Sequence, residues 1–378
     1  MSNIHYITYQ TFPAETGNSL QSICNIIEMV RMKNEVTLTF PNRDSASSSS
    51  LSVLQSYYNF SERIEINRTK HPLPFGKFNS FQKISFHISH FLWSLGVISF
   101  SSDLDTADLF ITRSDWVFYF LSKRKKRVVF ECHGESKLRK LLLKKSLKNK
   151  NSRVVFLTKS LENHYDDTGF KPSQAIVLGS AFREDLFLKN FKKIENQVVF
   201  VGNLLRFGKS RDIEFILDCF TDKRLENYRL KIVGGPSEYV EKLQEKINIL
   251  GMNNIELLGR LNQKETAEIL LRSEIGILTN SSDNINSRMH TSPLKYFEYL
   301  ASNLKVVAVK FHSHQILPFG ENIEFFKANN KESFVSAILK LQTTKTITLS
   351  SYKIYSYKNR VEQILDFARL EGLEPPTL

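Results

Sequence analysis

Ser292-Pro293-Leu294-Lys295-Tyr296-Phe297-Glu298-Tyr299-Leu300-Ala301 decides how the chain folds, set between strand-like apolar runs at 275–279 and 306–309. Thr291 and Ser292 are good helix N-caps, Pro293 fits a first turn where its missing N–H costs nothing, and Asn303 stands where a C-terminal cap belongs. Leu294, Phe297, Leu300 and Ala301 recur at three- and four-residue spacing and predict a buried stripe, with Glu298 about 40° round the helix from Leu294. A carboxylate at the edge of an apolar face needs a partner, either a cation or hydroxyl donors from a ligand. With a strand before and after, the helix N-terminus falls at the carboxyl end of a parallel sheet, where free N–H groups and the helix dipole favour phosphate. Phosphate at that end and hydroxyls near Glu298 describe a nucleotide.

Composition sets the frame around this helix. A chain of 378 residues, 41% hydrophobic and 24% charged, is ordinary globular composition, and its length predicts two domains. No apolar run reaches the roughly 18 residues that span a bilayer, and the N-terminus lacks a basic segment followed by an apolar core, so a cytoplasmic protein is expected. Cys24, Cys132 and Cys219 are scattered without paired spacing, which suggests neither a zinc site nor a disulfide framework. Residues 1–190 hold 26 Lys and Arg against 17 Asp and Glu, so the N-terminal half carries +9 of the net +13. Such a balance suits phosphorylated substrates, an anionic membrane or nucleic acid.

Strands and helices alternate along the whole chain, which predicts parallel sheets with helices on both faces. Expected strands in the first half are 4–9, 35–40, 108–112, 127–131, 154–158 and 175–178. A loop at 10–19 precedes a periodic helix through Leu20, Ile23, Ile27 and Val30. Residues 72–100 are aromatic-rich and read as a packed helix, with a membrane-contacting surface as the alternative. The segment 137–150 reads as a basic amphipathic helix, 190–196 as an interdomain linker, and Ser160 as the cap of a helix at 161–165. Later strands are expected at 198–201, 229–233 and 255–258, and helices at 333–341 and 356–370. Asp103-x-Asp105 and His312-x-His314 carry little weight as metal sites, lying in polar loops or lacking further ligands.

The segment at 292–301 resembles the Pro-Leu-Lys-x-x-Glu-Tyr-x-Ala helix of the GT-B glycosyltransferases of family 4. The loop Gly202-Asn203-Leu204-Leu205-Arg206-Phe207-Gly208-Lys209 resembles that family's phosphate loop, and Cys132-His133-Gly134 its strand, Glu, His, Gly element. The resemblance implies an α/β protein of GT-B fold, two Rossmann-like domains facing each other across a cleft. Its domains would be 1–190 on the acceptor side and 197–345 on the donor side, with a helix at 346–370 crossing back and a tail at 371–378.

What the resemblance implies for function is glycosyl transfer from a UDP- or GDP-linked sugar to a glycan or lipid-linked acceptor, retaining and without a metal or other cofactor. It gives Glu298 the ribose hydroxyls, Arg206 and Lys209 the diphosphate, and His133 the sugar. Gly202, Gly234, Arg260, His290, Ser292, Pro293, Leu294 and Lys295 join the donor side, while Gly17 and Asn18 form the acceptor-side loop. Asn203 stands at the family's usual arginine, which Arg206 replaces, and His290 stands where the first acid of the Glu-x7-Glu pattern belongs. Expected partners are the nucleotide sugar, the acceptor and an anionic membrane surface, with no nucleic acid. Two alternatives remain at this level: a nucleotide-sugar epimerase on the same fold, and a nonenzymatic binder of membranes or nucleic acid.

Overall fold

Runs of Val, Ile and Phe that are apolar on both faces form the central strands, as a parallel sheet covered on both sides requires; 128–132 and 152–156 are buried at every residue. The computed structural model describes residues 2–43, 47–71, 73, 82–100, 104–206, 209–343 and 352–369. The chain divides into two units, Met1–Gly179 with Tyr357–Leu378, and Ser180–Ser356.

The first unit holds β1 (Asn3–Ile7), β2 (Glu35–Pro41), β3 (Glu65–Thr69), β4 (Leu109–Thr112), β5 (Val128–Cys132), β6 (Ser152–Phe156) and β7 (Ala175–Val177). They pair in parallel in the order β3-β2-β1-β4-β5-β6-β7. The second unit holds β8 (Gln197–Val201), the short pair β9 (Leu205–Arg206) and β10 (Lys209–Ser210), then β11 (Arg229–Val233), β12 (Ile255–Gly259), β13 (Ile275–Leu278), β14 (Lys305–Val309) and β15 (Ile323–Phe326). Its parallel sheet runs β12-β11-β8-β13-β14-β15, while β9 and β10 pair antiparallel. Each unit is Rossmann-like in build.

Three expectations change. The edge strands β3 and β15 were not expected, because neither offers a long apolar run. Residues 190–196 are not a free linker: the units divide after Gly179, and 180–196 is tied into the second unit, where Lys193 Nζ donates to Ser302 O at 2.6 Å and Ile194 N to Arg272 O at 2.8 Å. Thr158, rather than Ser160, caps the helix Lys159–His164. Trp93 follows the packed-helix reading of 72–100 rather than its membrane alternative: it is 1% exposed and donates its indole N–H to Thr69 Oγ1 at 2.8 Å. The expected residues Phe75, Phe78, Phe81, Asp103 and 371–378 lie outside those described. Among the described residues no helix is long and apolar enough to cross a membrane.

The helix Tyr357–Arg369 belongs to the first unit, where Val361, Ile364, Leu365 and Phe367 complete the core beside Ile23, Ile27 and Leu38. Its Arg360 donates to Glu131 Oε1 at 2.8 Å, Asn25 Oδ1 at 3.1 Å and Gly179 O at 2.9 Å. Glu131 is fully buried and also accepts from Tyr6 Oη at 2.6 Å. Arg360→Ala should therefore cost about 3 to 5 kcal/mol in urea unfolding, since it leaves Glu131 buried without its main counter-charge. A loss under about 1 kcal/mol, the size of an exposed pair, would mean that the remaining donors suffice.

Candidate active site

The helix containing Glu298 runs Leu294–Ala301 with Pro293 as its N-cap residue, and no side chain caps it. Ser292, expected to cap, is committed elsewhere: its Oγ accepts from Ser180 N at 2.8 Å and its carbonyl from Ser180 Oγ at 2.6 Å. Thr291 Oγ1 likewise donates to Ser287 O at 3.1 Å. Asn303 ends the helix in the left-handed conformation at φ 53°.

The buried face is broader than the expected stripe, because Tyr296 and Tyr299 are buried while Leu294 is half-buried. The Tyr299 hydroxyl donates to Ile277 O at 3.0 Å, and its ring lies where a Cβ on Gly276 would come within 2.6 Å. Glycine at 276 thus lets the helix press onto β13. Tyr296 Oη donates to the Pro318 carbonyl.

Lys295 and Glu298 share the helix face between these aromatic anchors. The Lys295 ammonium sits 4.2 Å over the Phe200 ring and 3.0 Å from where a Cβ on Gly202 would be. It is buried and meets no acceptor among the described residues. Burial, reinforced by the Arg211 charge and opposed by Glu298, lowers it to about 7. Burial raises the Glu298 carboxyl to about 7 against the pull of Lys295. No hydrogen bond reaches that carboxylate among the described residues.

Three glycine turns close the carboxyl ends of β8, β11 and β12 beside this pair. Gly202 N donates to Val233 O at 2.9 Å and Gly234 N to Gly259 O at 2.7 Å. Gly234 has φ 156°, and a Cβ there would lie 1.9 Å from the Gly202 carbonyl oxygen, so no other residue fits. Arg260 crosses Gly235 and its Nη1 donates to Asn203 Oδ1 at 3.2 Å, which places a guanidinium on the loop whose usual arginine is missing. Sequence reasoning assigned that substitution to Arg206 alone. Arg206 and Lys209 pair across β9 and β10, but their side chains and residues 207–208 lie outside those described. His290 is buried at the end of the short helix Ile285–Met289.

In the first unit, His133 follows β5 directly, and its Nε2 is buried without a partner among the described residues. Burial, with the charges of Arg113, Arg360 and Arg139, holds the imidazole well below its usual pKa, so it stays neutral. Gly17 opens the first helix, capped by Thr16, and Arg113 clamps Asn18 through its carbonyl at 2.8 Å and its Oδ1 at 3.0 Å. Arg113, Arg360, Asn25 and Tyr6, all around Glu131, were not singled out from sequence. Each is an isolated polar residue in its own segment and carries no local signal.

The charged pair has a pH signature. Glu298 holds its proton more tightly folded (about 7) than unfolded (4.5), so its contribution to stability is full below pH 4.5 and is lost as pH rises through about 7. Lys295 is displaced downward from 10.5 to about 7, so its contribution is full above pH 10.5 and is lost as pH falls through about 7. Together they place a minimum in ligand-free stability near neutral pH. The double variant Lys295→Met/Glu298→Gln should remove the minimum and gain about 1 to 4 kcal/mol at neutral pH in urea unfolding. An unchanged pH profile in that variant would show that the pair is not strained.

Residues 195–344 match the family model described as glycosyl transferases group 1. The sucrose-phosphate synthase of Thermosynechococcus elongatus superposes with a TM-score of 0.69 at 12% identity, covering 98% of each chain. HepE of Anabaena, in complex with UDP and glucose, superposes at 0.61 and 13% identity over 97% of this chain and 100% of that one. A variant of S. aureus TarM, in complex with Fondaparinux, alpha-GlcNAc-glycerol and UDP, gives 0.69 at 11% over 98% and 100%. No curated protein is matched by sequence. The chain has the GT-B fold, its residues 195–344 form a group 1 glycosyl transferase domain, and the protein is a glycosyltransferase.

Proposed function

We propose that the protein moves a hexosyl group from a UDP- or GDP-linked sugar to a glycan or lipid-linked acceptor in surface-polysaccharide biosynthesis, with retention of configuration and without a metal ion or other cofactor. The observation that carries this reading is the Glu298–Lys295 pair: a buried ammonium nitrogen beside the Gly202 turn and a part-buried, desolvated carboxylate one turn on, neither with a hydrogen-bond partner among the described residues. Unsatisfied buried charges are costly, and a ligand bearing hydroxyls and phosphate compensates both.

Glu298 accepts from the ribose hydroxyls. The Lys295 ammonium, the helix end at Pro293 and, by the family resemblance, Arg206 and Lys209 attract the diphosphate. The bond between the anomeric carbon and the diphosphate oxygen breaks with its electron pair going to the diphosphate, a bond from an acceptor hydroxyl oxygen forms, and that hydroxyl's proton passes to the departing diphosphate. Charge on the leaving diphosphate is what the cationic groups stabilise. His133, held neutral in the first unit, is given to the sugar by the family resemblance alone. The UDP bound in the Anabaena and S. aureus neighbours supports this donor class, and the expected location is the cytoplasm.

A thermal-shift panel of UDP- and GDP-sugars identifies the donor, since a ligand at 100 times its Kd stabilises by about 2.7 kcal/mol. Glu298→Gln should weaken that donor about ten- to a hundredfold while leaving the fold intact, the loss expected for charge-assisted hydrogen bonds. Unchanged affinity, or a large loss of stability, would remove Glu298 from the ribose site. Lys209→Ala and Arg260→Ala test the phosphate loop in the same assay, and an effect of Arg206→Ala alone would return the substitution for Asn203 to Arg206.

A further inference from the structure

Three consecutive helices of the first unit, Gln82–Phe100, Asp115–Lys123 and Lys137–Ser146, lie side by side over one core. Phe91 of the first stacks edge-on against Trp116 of the second at 4.8 Å, and Arg139 of the third pairs with Asp115 of the second at 2.6 Å. Their inner faces supply Trp93, Val97, Phe118, Leu121 and Leu143 to the core. On the outer face of the first helix, Ile84, Ile88, Leu92 and Leu95 recur at helical spacing, and all are exposed, Ile84 at 59% and Ile88 at 48%. The stripe continues through half-buried Phe91, Trp116 and Phe120. Leu141, at 50%, adds an apolar side chain to the outer face of the third helix.

Exposed cations follow this apolar strip. Lys123, Arg124 and Lys125 end the second helix, and Lys137, Lys144, Lys145 and Lys148 line the third and its end. The acids Asp115 and Asp167 are held by Arg139 and by Lys140, the latter at 2.7 Å. An apolar stripe alone fits many occupants. Joined to an excess of fixed cations, it matches the chemistry of an anionic lipid interface, where apolar side chains enter the acyl boundary and ammonium groups meet headgroup phosphates. Nucleic acid would leave the isoleucines without a partner, and a second copy of the chain would bring like charges together.

We propose that the outer face of these three helices docks on an anionic membrane surface, with the apolar stripe of Gln82–Phe100 inserted and the lysines of Lys137–Ser146 beside it on the headgroups. Trp93 takes no part. The inference stands apart from the donor-site reading, because either can fail alone.

Flotation of the full chain with vesicles of phosphatidylcholine, with and without phosphatidylglycerol, tests it. Binding is expected only with the anionic lipid and is expected to weaken as salt rises. Lys144→Glu/Lys145→Glu/Lys148→Glu should lower the partition coefficient on the order of a hundredfold or more. Ile84→Ser/Ile88→Ser should lose the part of binding that survives salt, with melting temperature unchanged in both variants. No flotation, equal flotation with neutral vesicles, or insensitivity to both variants would overturn the proposal. So would a dimer by light scattering that Ile84→Ser/Ile88→Ser dissolves, or duplex DNA bound as well as the vesicles.

Discussion

The close approach of Gly202 and Gly234 is the constraint on which the donor-side unit depends. Parallel strands all deliver their carboxyl ends to one edge, and there the chain must turn without filling the space it turns in. A Cβ on Gly234 would lie 1.9 Å from the Gly202 carbonyl oxygen, so the turns after β8 and β11 can sit this close only because Gly234 bears no side chain. What reaches the vacated edge comes from elsewhere: the Lys295 ammonium from below Gly202, and Arg260 from the end of β12, which donates to Asn203. Bare backbone and imported cations are the ingredients of an anion site.

Two glutamates show how surroundings set the state of the same group. Glu131 accepts from Tyr6, Asn25 and Arg360, and its pKa is lowered despite burial, chiefly by Arg360 and Arg113. It is a satisfied ion that fastens the C-terminal helix to β5. Glu298, part-buried and reached by no hydrogen bond among the described residues, has only the charge of Lys295 to offset its desolvation, which carries it up to about 7. Folding alone gives no reason to retain such a carboxylate, because glutamine or methionine would cost less at that position.

Much of this was legible in the sequence because it is local. Short β-branched runs announced the central strands, and Pro293 with Asn303 bracketed the helix within a residue of its observed ends. Edge strands were less visible: β3, Glu-Ile-Asn-Arg-Thr, is half exposed and lacks a continuous apolar signal. Long-range hydrogen bonds left no trace at all. Arg360 lies 229 residues from Glu131, and Ser180 lies 112 residues from Ser292, whose hydroxyl it diverts from capping. Aromatic content alone did not tell which side of 72–100 faces inward: Trp93 is buried, while Ile84 and Ile88 lie outside.

Spacing along a helix does not decide whether opposite charges meet; the surroundings do. Glu28 and Arg31, three residues apart on a partly exposed helix, close to 2.7 Å. Lys295 and Glu298 have the same separation yet make no ion pair among the described residues, because Lys295 extends over Phe200 toward Gly202 while Glu298 remains on its own turn. Had the two closed on each other, each would have consumed the other's hydrogen-bonding capacity. Held apart in a low-dielectric setting, they still lower each other's cost by Coulomb attraction, which acts at distances where hydrogen bonds cannot. One helical turn thereby carries an unspent cation and an unspent anion. On the proposed reading the cation is left for the diphosphate and the anion for the ribose.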